Sequence, residues 1–509
     1  MNQVKAGAIL NYAIIALNTI VGLAYTPYML RCLGQNEYGL YSLVASIIAY
    51  LTLLDFGFGN AIIRYTAKFR AEGKRQEQWE MFGMFLIVYA IIGFIAFLGG
   101  LCLYFNVDLL FDRTMTIDDL VQARIMMLLL TINLTFTFPL SIFGSIITAY
   151  ENFVFQRTIS ILRIILSTVV LIFVLSIGYK AVSLVIVQTT FNIITLIINY
   201  LYCIRKLQIH IKFGRFNWPF IKEISIYSFW IFLNAIMDKI YWGTGQFVLG
   251  AISGTTAVAI FSVAILLEQM YMQFSVAIVS VLLPKLTSMV TLNCNNKDIS
   301  ALFIKTGRIQ CLIMSLILSG FIIFGQSFIS LWAGSEYLES YWISLIFFIA
   351  LFIPLIQNTG VAILQARNQL KFRSCLYIVI SLLSLIFQII LSNQMGVLGC
   401  AISIGTALIL GQGLVMNVYY AAKQHIAIID FWKDISKMLF VPIVLTSIGL
   451  WISSLFHDPS LLTILLEIVI FTIIYVLLSW FITMNNYERQ LLSTILKKLS
   501  ISYSKQANL

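Results

Sequence analysis

Charge is what this 509-residue sequence has least of. Asp, Glu, Lys and Arg make up 10% of it, against roughly 25% in soluble domains, so most of its surface cannot face water. Histidine is scarce: His210, His425 and His457 are the three, and their loop positions and spacing make no metal site. The phosphate-cradling pattern G-x-x-x-x-G-K-[ST] is missing, which argues against direct ATP coupling. No H-E-x-x-H helix and no nucleophile elbow stands out. The seven cysteines (Cys32, Cys102, Cys203, Cys294, Cys311, Cys375, Cys400) are odd in number and scattered. They suit small apolar packing positions rather than a disulfide framework or a metal. No long polar stretch could hold a soluble domain. A cofactor is therefore not expected, and energy must come from an ion gradient or from the substrate's own gradient.

What is present is oil. Hydrophobic residues are 60% of the chain and the mean hydropathy is +0.95. Apolar runs long enough to cross a hydrocarbon core of about 30 Å recur from end to end. The expected class is an all-α polytopic membrane protein with fourteen spans, near 7–29, 39–63, 81–105, 125–149, 158–178, 181–203, 225–250, 256–283, 309–333, 342–364, 374–392, 396–420, 438–456 and 461–484. The first run, Ala6 to Leu30, is too long for a signal-peptide core and is expected to remain as the first span. Tight hairpins are expected near Gly178 and Gly396.

Loop charge sets the topology. With the N-terminus inside, the inner segments hold 26 of the 32 Lys and Arg, while the outer loops hold Arg31, Arg113, Arg124 and Lys180. Such a bias fixes orientation, so both termini are expected on the cytoplasmic side of a bacterial inner membrane. The formal charge of +11 then reports topology and contact with anionic lipid headgroups, and no nucleic-acid partner is expected. The longest outer loop, Asn106 to Arg124, carries Asp108, Asp112, Asp118 and Asp119 but leaves no room for the extramembrane chemistry of a polymerase. The inner loops Arg64 to Arg75 and Arg205 to Lys222, the latter with Phe213, Phe216, Trp218 and Phe220, read as interfacial segments. So does the tail, with Leu491, Leu492, Ile495, Leu496 and Leu499 at helical spacing beside Lys497 and Lys498.

The chain also repeats itself. Leu17-Asn18 and Leu33-Gly34 recur as Leu233-Asn234 and Leu249-Gly250 at an offset of 216. Tyr38-Gly39-Leu40-Tyr41-Ser42 corresponds to Val258-Ala259-Ile260-Phe261-Ser262 at 220, and Tyr150-Glu151-Asn152 through Phe155 resembles Ala366-Arg367-Asn368 through Phe372. Six spans plus six in the same orientation make a parallel repeat. The expected organisation is an N-lobe over 1–204, an inter-lobe loop over 205–224, a C-lobe over 225–420, two further spans over 438–484 and a cytoplasmic amphipathic tail over 485–509.

The segments LGQNEYGLYSL (33–43) and LLDFGFGNAIIRYTAKFRAEGK (53–74), together with the fourteen-span plan, resemble the polysaccharide-flippase branch of the multidrug/oligosaccharidyl-lipid/polysaccharide exporter superfamily. The resemblance covers essentially the whole chain. It implies two six-helix bundles in a V around a central cavity. It also implies transfer of undecaprenyl-pyrophosphate-linked oligosaccharide units to the outer leaflet for O-antigen, capsule or related polymers, with polymerase or chain-length machinery as partners. A cation-coupled drug exporter and a lipid II flippase belong to the same superfamily and remain alternatives.

Moving a polar, anionic head group past hydrocarbon requires polar residues at membrane depth, and ionisable ones there are functional candidates by default. Span seven offers Asn234, Asp238, Lys239, Tyr241 and Trp242. Asn234 and Asp238 share a helix face, and Lys239 lies about 20 Å along from Ser225 at ~1.5 Å per residue. Span eight places Glu268 at similar depth, with Gln269 and Gln273 nearby. Lys239 would contact pyrophosphate or sugar, with Asp238 or Glu268 neutralising it or carrying a coupling proton; a structural buried ion pair is the other reading. In span two, Asp55 is a gating or proton candidate beside Gly57, Gly59 and Asn60, and Arg64 would attract substrate phosphates or simply anchor the span inside. Arg163 and Glu467 read as snorkelling and packing residues. Arg31 and Arg124 read as outer anchors. Pro27, Pro139, Pro354 and Pro442 would bend or loosen their spans.

Overall fold

The computed structural model describes residues 3–214, 218–292, 294–367, 369–453, 460–491 and 493. Every regular element among them is helical: α1 (Gln3–Leu51), α2 (Phe58–Ala71), α3 (Arg75–Phe105), α4 (Val107–Phe111), α5 (Ile117–Ala149), α6 (Phe153–Ser176), α7 (Ala181–Arg205), α8 (Trp218–Ile252) and α9 (Thr255–Thr291), then α10 (Asn296–Trp332), α11 (Glu339–Ile356), α12 (Asn358–Ala366), α13 (Lys371–Leu408), α14 (Met416–Ala422), α15 (Ile428–Met438), α16 (Phe440–Ser453) and α17 (Leu461–Ile482). A helix satisfies its own backbone, the condition for crossing lipid. Eleven described stretches are long and apolar enough to cross a membrane, and the chain is an all-α polytopic membrane protein. Two of them, Ala13–Ala71 and Lys371–Ala422, exceed one crossing at about 1.5 Å per residue. Each bends at a glycine with positive φ, Gly34 (72°) and Gly396 (59°). A turn is present near Gly178, which has φ 96°, and Gly396 (φ 59°) is a non-helical break inside α13.

The chain forms two compact units, Met1–Ser262 with Ser384–Cys400, and Val263–Leu383 with Ala401–Leu509. In the first, α3, α5 and α7 pack in series, α6 lies on α1, and α8 packs against α1 and α2. Close approach is bought with small residues, as is usual between membrane helices: a Cβ on Gly39 would overlap the Thr255 carbonyl and crowd the Ala259 nitrogen, and one on Gly100 would overlap Thr131. The Gly39–Ala259 neighbours are the positions that the 220-residue offset aligns. Around the loop between α4 and α5, Asn36 donates to Asp119 (2.7 Å) and accepts from the Thr255 hydroxyl, while Thr114 donates to the Gly250 carbonyl (2.7 Å). Glu37, 6% exposed, pairs with Lys180 (3.3 Å) and accepts from Gln122. The motif LGQNEYG is thus a local interlock. Arg124 pairs with Asp108.

In the second unit, α16 and α17 pack on α10 through Ile323, Val441, Leu445, Phe471 and Tyr475. Residues 296–308, read from the sequence as an inner loop, are the first turns of α10. Arg308 on that stretch is buried, its Nε 2.6 Å from Glu488 Oε1 and its Nη2 3.0 Å from Oε2. The segment 428–437, also expected as loop, is the amphipathic helix α15, with Ile428, Phe431, Ile435 and Met438 buried and Asp430 and Lys433 outward. One aromatic stack occurs in both units: Phe155 on Tyr202 (3.7 Å between ring centres, 14° between planes) and Phe372 on Tyr419 (4.1 Å, 9°), each position 217 residues after its counterpart. Most of the expected tail helix (494–509), Arg215, Phe216 and the side chain of Asn234 lie outside the described residues.

Candidate functional site

The site begins with a broken helix. α1 ends at Leu51, a single 3-10 turn covers Thr52–Asp55, and Phe56 (φ 50°) and Gly57 (φ 73°) are left-handed before α2 starts at Phe58. A non-glycine residue in that region costs about 1–3 kcal/mol unless its surroundings hold it. Here the Phe56 ring is held 4.5 Å from that of Phe232 on α8 and 5.9 Å from that of Phe58. Such a break frees backbone groups, which is tolerated at membrane depth only inside protein or beside a water-filled cavity. Discontinuous helices mark binding sites in membrane transporters for this reason.

Asp55 is the last residue of the short turn, and its Oδ1 accepts from the Tyr89 hydroxyl of α3 at 2.6 Å. Tyr89 is itself wholly buried and lies edge-on to Phe58. On one side of Asp55 a cavity of about 340 Å³ is lined by Thr52, Asn60, Phe232, Ala235, Asp238 and Lys239, among others. On the other side a second cavity, about 370 Å³, is lined by Gly59, Asn60, Ser141, Ser145, Thr148 and Gln156, among others. Both volumes fall in the range of small-ligand sites, roughly 300–1,000 Å³. Asp55 and Asn60 border both.

Three of the residues expected from the sequence therefore share one cavity: Asp55, Asp238 and Lys239. α8 is fixed there by Tyr50 of α1, whose hydroxyl donates to the Lys239 carbonyl (3.2 Å) and lies 2.6 Å from the Thr244 hydroxyl. The Lys239 ammonium is in no ion pair among the described residues. Tyr241 is fully buried and packs edge-on to Trp242 at 5.3 Å, so its ring is not open to a ligand. Asn234 precedes Asp238 by one turn on α8. Arg64 is exposed on α2, its guanidinium 5.8 Å from the Tyr65 ring, and does not line either cavity. Glu268 belongs to the second unit. It is 1% exposed there, and its Oε1 has no hydrogen-bond partner among the described residues. Gln269 and Gln273 are exposed.

The sequence reading missed Tyr89 and the polar stripe of α5, because it sought charge. Ser141, Ser145 and Thr148 fall at i, i+4 and i+7, a spacing that puts them on one face and could have been read.

A family model described as "Polysaccharide biosynthesis protein" matches residues 4–290, more than half of the chain. The chain belongs to the polysaccharide biosynthesis protein family. A curated relative, "Putative O-antigen transporter" from Salmonella typhimurium (strain LT2), is 32% identical over 76 residues, which is 15% of this chain and 18% of the relative. The match thus spans under a fifth of that protein's length. Among solved structures, "Lipid II flippase MurJ, inward closed conformation" is similar with a TM-score of 0.72 at 16% identity, covering 93% of this chain and 97% of that one. "Inward-facing conformation of a multidrug resistance MATE family transporter of the MOP superfamily" is similar with a TM-score of 0.63 at 14% identity, covering 80% and 99%. These likenesses give the chain the fold of that transporter superfamily.

Proposed function

We propose that the protein is a flippase that carries undecaprenyl-pyrophosphate-linked oligosaccharide repeat units from the inner to the outer leaflet for cell-surface polysaccharide synthesis. The observation that carries this reading is the broken helix at Asp55 with its cavity. An ammonium in no ion pair among the described residues, two carboxylates and an amide line it, on a chain otherwise built of apolar spans. Groups of that kind are expensive in hydrocarbon and belong beside water or a polar cargo. Lys239 would take the phosphate charge. Asp55 and Asp238 would carry the coupling cation or proton, since two carboxylates beside an incoming phosphate must be neutralised. Glu268 would act as a second coupling group, and Asn234, Arg64 and Trp242 would line the route. Family membership and the O-antigen transporter relative support the cargo class.

Reading the two glycine-broken stretches as two crossings each, and adding α8, would give fourteen spans in the bacterial inner membrane with both termini cytoplasmic. The recurrent aromatic stack favours the six-plus-six repeat over 1–204 and 225–420. A lipid II flippase or a cation-coupled drug exporter is the second reading, favoured by the two structural likenesses. A deletion strain decides between them. Inner-leaflet accumulation of lipid-linked repeat units, reversed by the wild-type chain, supports the first; accumulation of lipid II or loss of drug efflux alone overturns it.

A further inference from the structure

The two cavities flanking Asp55 differ in chemistry. The one toward α8 carries the charges of Asp238 and Lys239. The one toward α5 and α6 has no cation, and its lining beyond Asp55 is amide, hydroxyl and small apolar groups. Asp55 is occupied by Tyr89. Thr148 and Gln156 hold one another at 2.9 Å and keep the far wall in place. The exposed Asn60 carboxamide and the half-buried Ser145 hydroxyl have no hydrogen-bond partner among the described residues. Open neutral donors and acceptors on a cavity wall are placed to take a ligand that presents the complementary groups.

The repeat supplies an independent argument. At the 216-residue offset, Gly144 corresponds to Gly360, Ser145 to Val361 and Thr148 to Leu364. In that second copy the space over Gly360 is filled by the Tyr420 ring, which a Cβ there would meet, and Gln357 is closed in a reciprocal amide pair with Asn417 (2.8 and 3.2 Å). The corresponding positions of the first copy, Gly144, Ser145 and Thr148, line an open, hydroxyl-bearing space.

We infer that this α5 cavity is a subsite for an uncharged sugar of the head group, adjoining the phosphate in the α8 cavity, with Asn60 hydrogen-bonded at their junction. This rests on the flippase reading above and assigns the glycan to a place of its own. Neutral hydroxyls match the lining, whereas a uronic acid would meet the Asp55 carboxylate.

The test uses the purified full chain in proteoliposomes of phosphatidylethanolamine and phosphatidylglycerol, with two fluorescent probes: polyprenyl pyrophosphate alone, and the same lipid carrying one neutral hexose. The double variant Asn60→Ala/Ser145→Ala removes both free groups, and Ser145→Leu fills the space. The expected result is that each slows the hexose probe about tenfold, as for loss of one or two hydrogen bonds to cargo, and slows the bare probe less than about twofold. Equal slowing of both probes, no slowing of either, or a wild type that moves the bare probe faster than the hexose probe overturns the subsite. A wild type that moves neither probe overturns the flippase reading itself.

Discussion

The Tyr89 hydroxyl donates to Asp55 Oδ1 across 2.6 Å, joining the heart of α3 to the one turn of chain between α1 and α2. The bond holds a carboxylate at the lip of two cavities in a single orientation. Tyr89→Phe keeps the ring packing and removes only the donor. The expected cost in stability is about 1 kcal/mol, since water in the cavities can replace the phenol. Transport should fall several-fold, because the carboxylate is no longer aimed. Thermal unfolding in detergent and a transport assay separate the two effects. Unchanged transport would show that the orientation of Asp55 does not matter.

The interlock around the LGQNEYG motif makes Gly39 intolerant of any side chain. A methyl group there meets the Thr255 carbonyl, which is backbone and cannot swing away. Gly39→Ala is expected to lose roughly 1–3 kcal/mol by overpacking and to lower the unfolding temperature. At Gly34, whose built Cβ meets nothing, the penalty arises from its φ of 72° alone. An unfolding temperature of Gly39→Ala equal to that of the wild type would refute the close approach.

Arg308 is the fixed point of the second unit. It joins Glu488 through two nitrogens, donates to the Thr483 carbonyl at 2.9 Å and lies 3.9 Å from Asp434. Removing one partner of a buried pair strands the other charge, at a cost of about 3–5 kcal/mol. Arg308→Ala and Glu488→Ala should therefore each be severely destabilised. Arg308→Lys should rescue little, because an ammonium cannot present the paired geometry. Denaturation of the purified variants gives the answer; near-wild-type stability of Arg308→Lys would contradict the forked pairing.

Both cavities are expected to be wet. In a cysteine-free background, single cysteines at Asn60 and Ala235 should react with a membrane-impermeant maleimide. A cysteine at Leu98, which is exposed on the apolar surface of α3, should not, because thiolate forms only where water reaches. Labelling at Leu98 but not at Asn60 would mean that the described cavities are dry.

How much of this the sequence revealed depends on which physics fixes each feature. The apolar helical stretches follow from length and hydropathy, and the turn at Gly178 and the break at Gly396 from glycine. The helix break after Leu51 was not legible: its decisive left-handed residue is Phe56, held by packing against Phe232 on a helix far along the chain. Asp55, Asp238 and Lys239 could be picked out because charge in a span is rare. Tyr89 could not, being one of 24 tyrosines in a chain rich in aromatics. Arg308 looked like any inner-loop cation, and only the fold brings it to Glu488, 180 positions away. Tyr241 shares its stretch of α8 with Asp238 and Lys239, and burial, which sequence neighbours do not reveal, places it fully inside the protein.

In the proposed mechanism a charged head group crosses beside Lys239. The most direct measurement follows the appearance of a fluorescent polyprenyl-pyrophosphate sugar on the far leaflet of proteoliposomes that contain this chain alone, wild type against Lys239→Ala and Lys239→Arg. The expected result is transfer by the wild type, loss of at least about tenfold in Lys239→Ala, as for a charge-assisted contact, and partial recovery in Lys239→Arg. Full transfer by Lys239→Ala would contradict it.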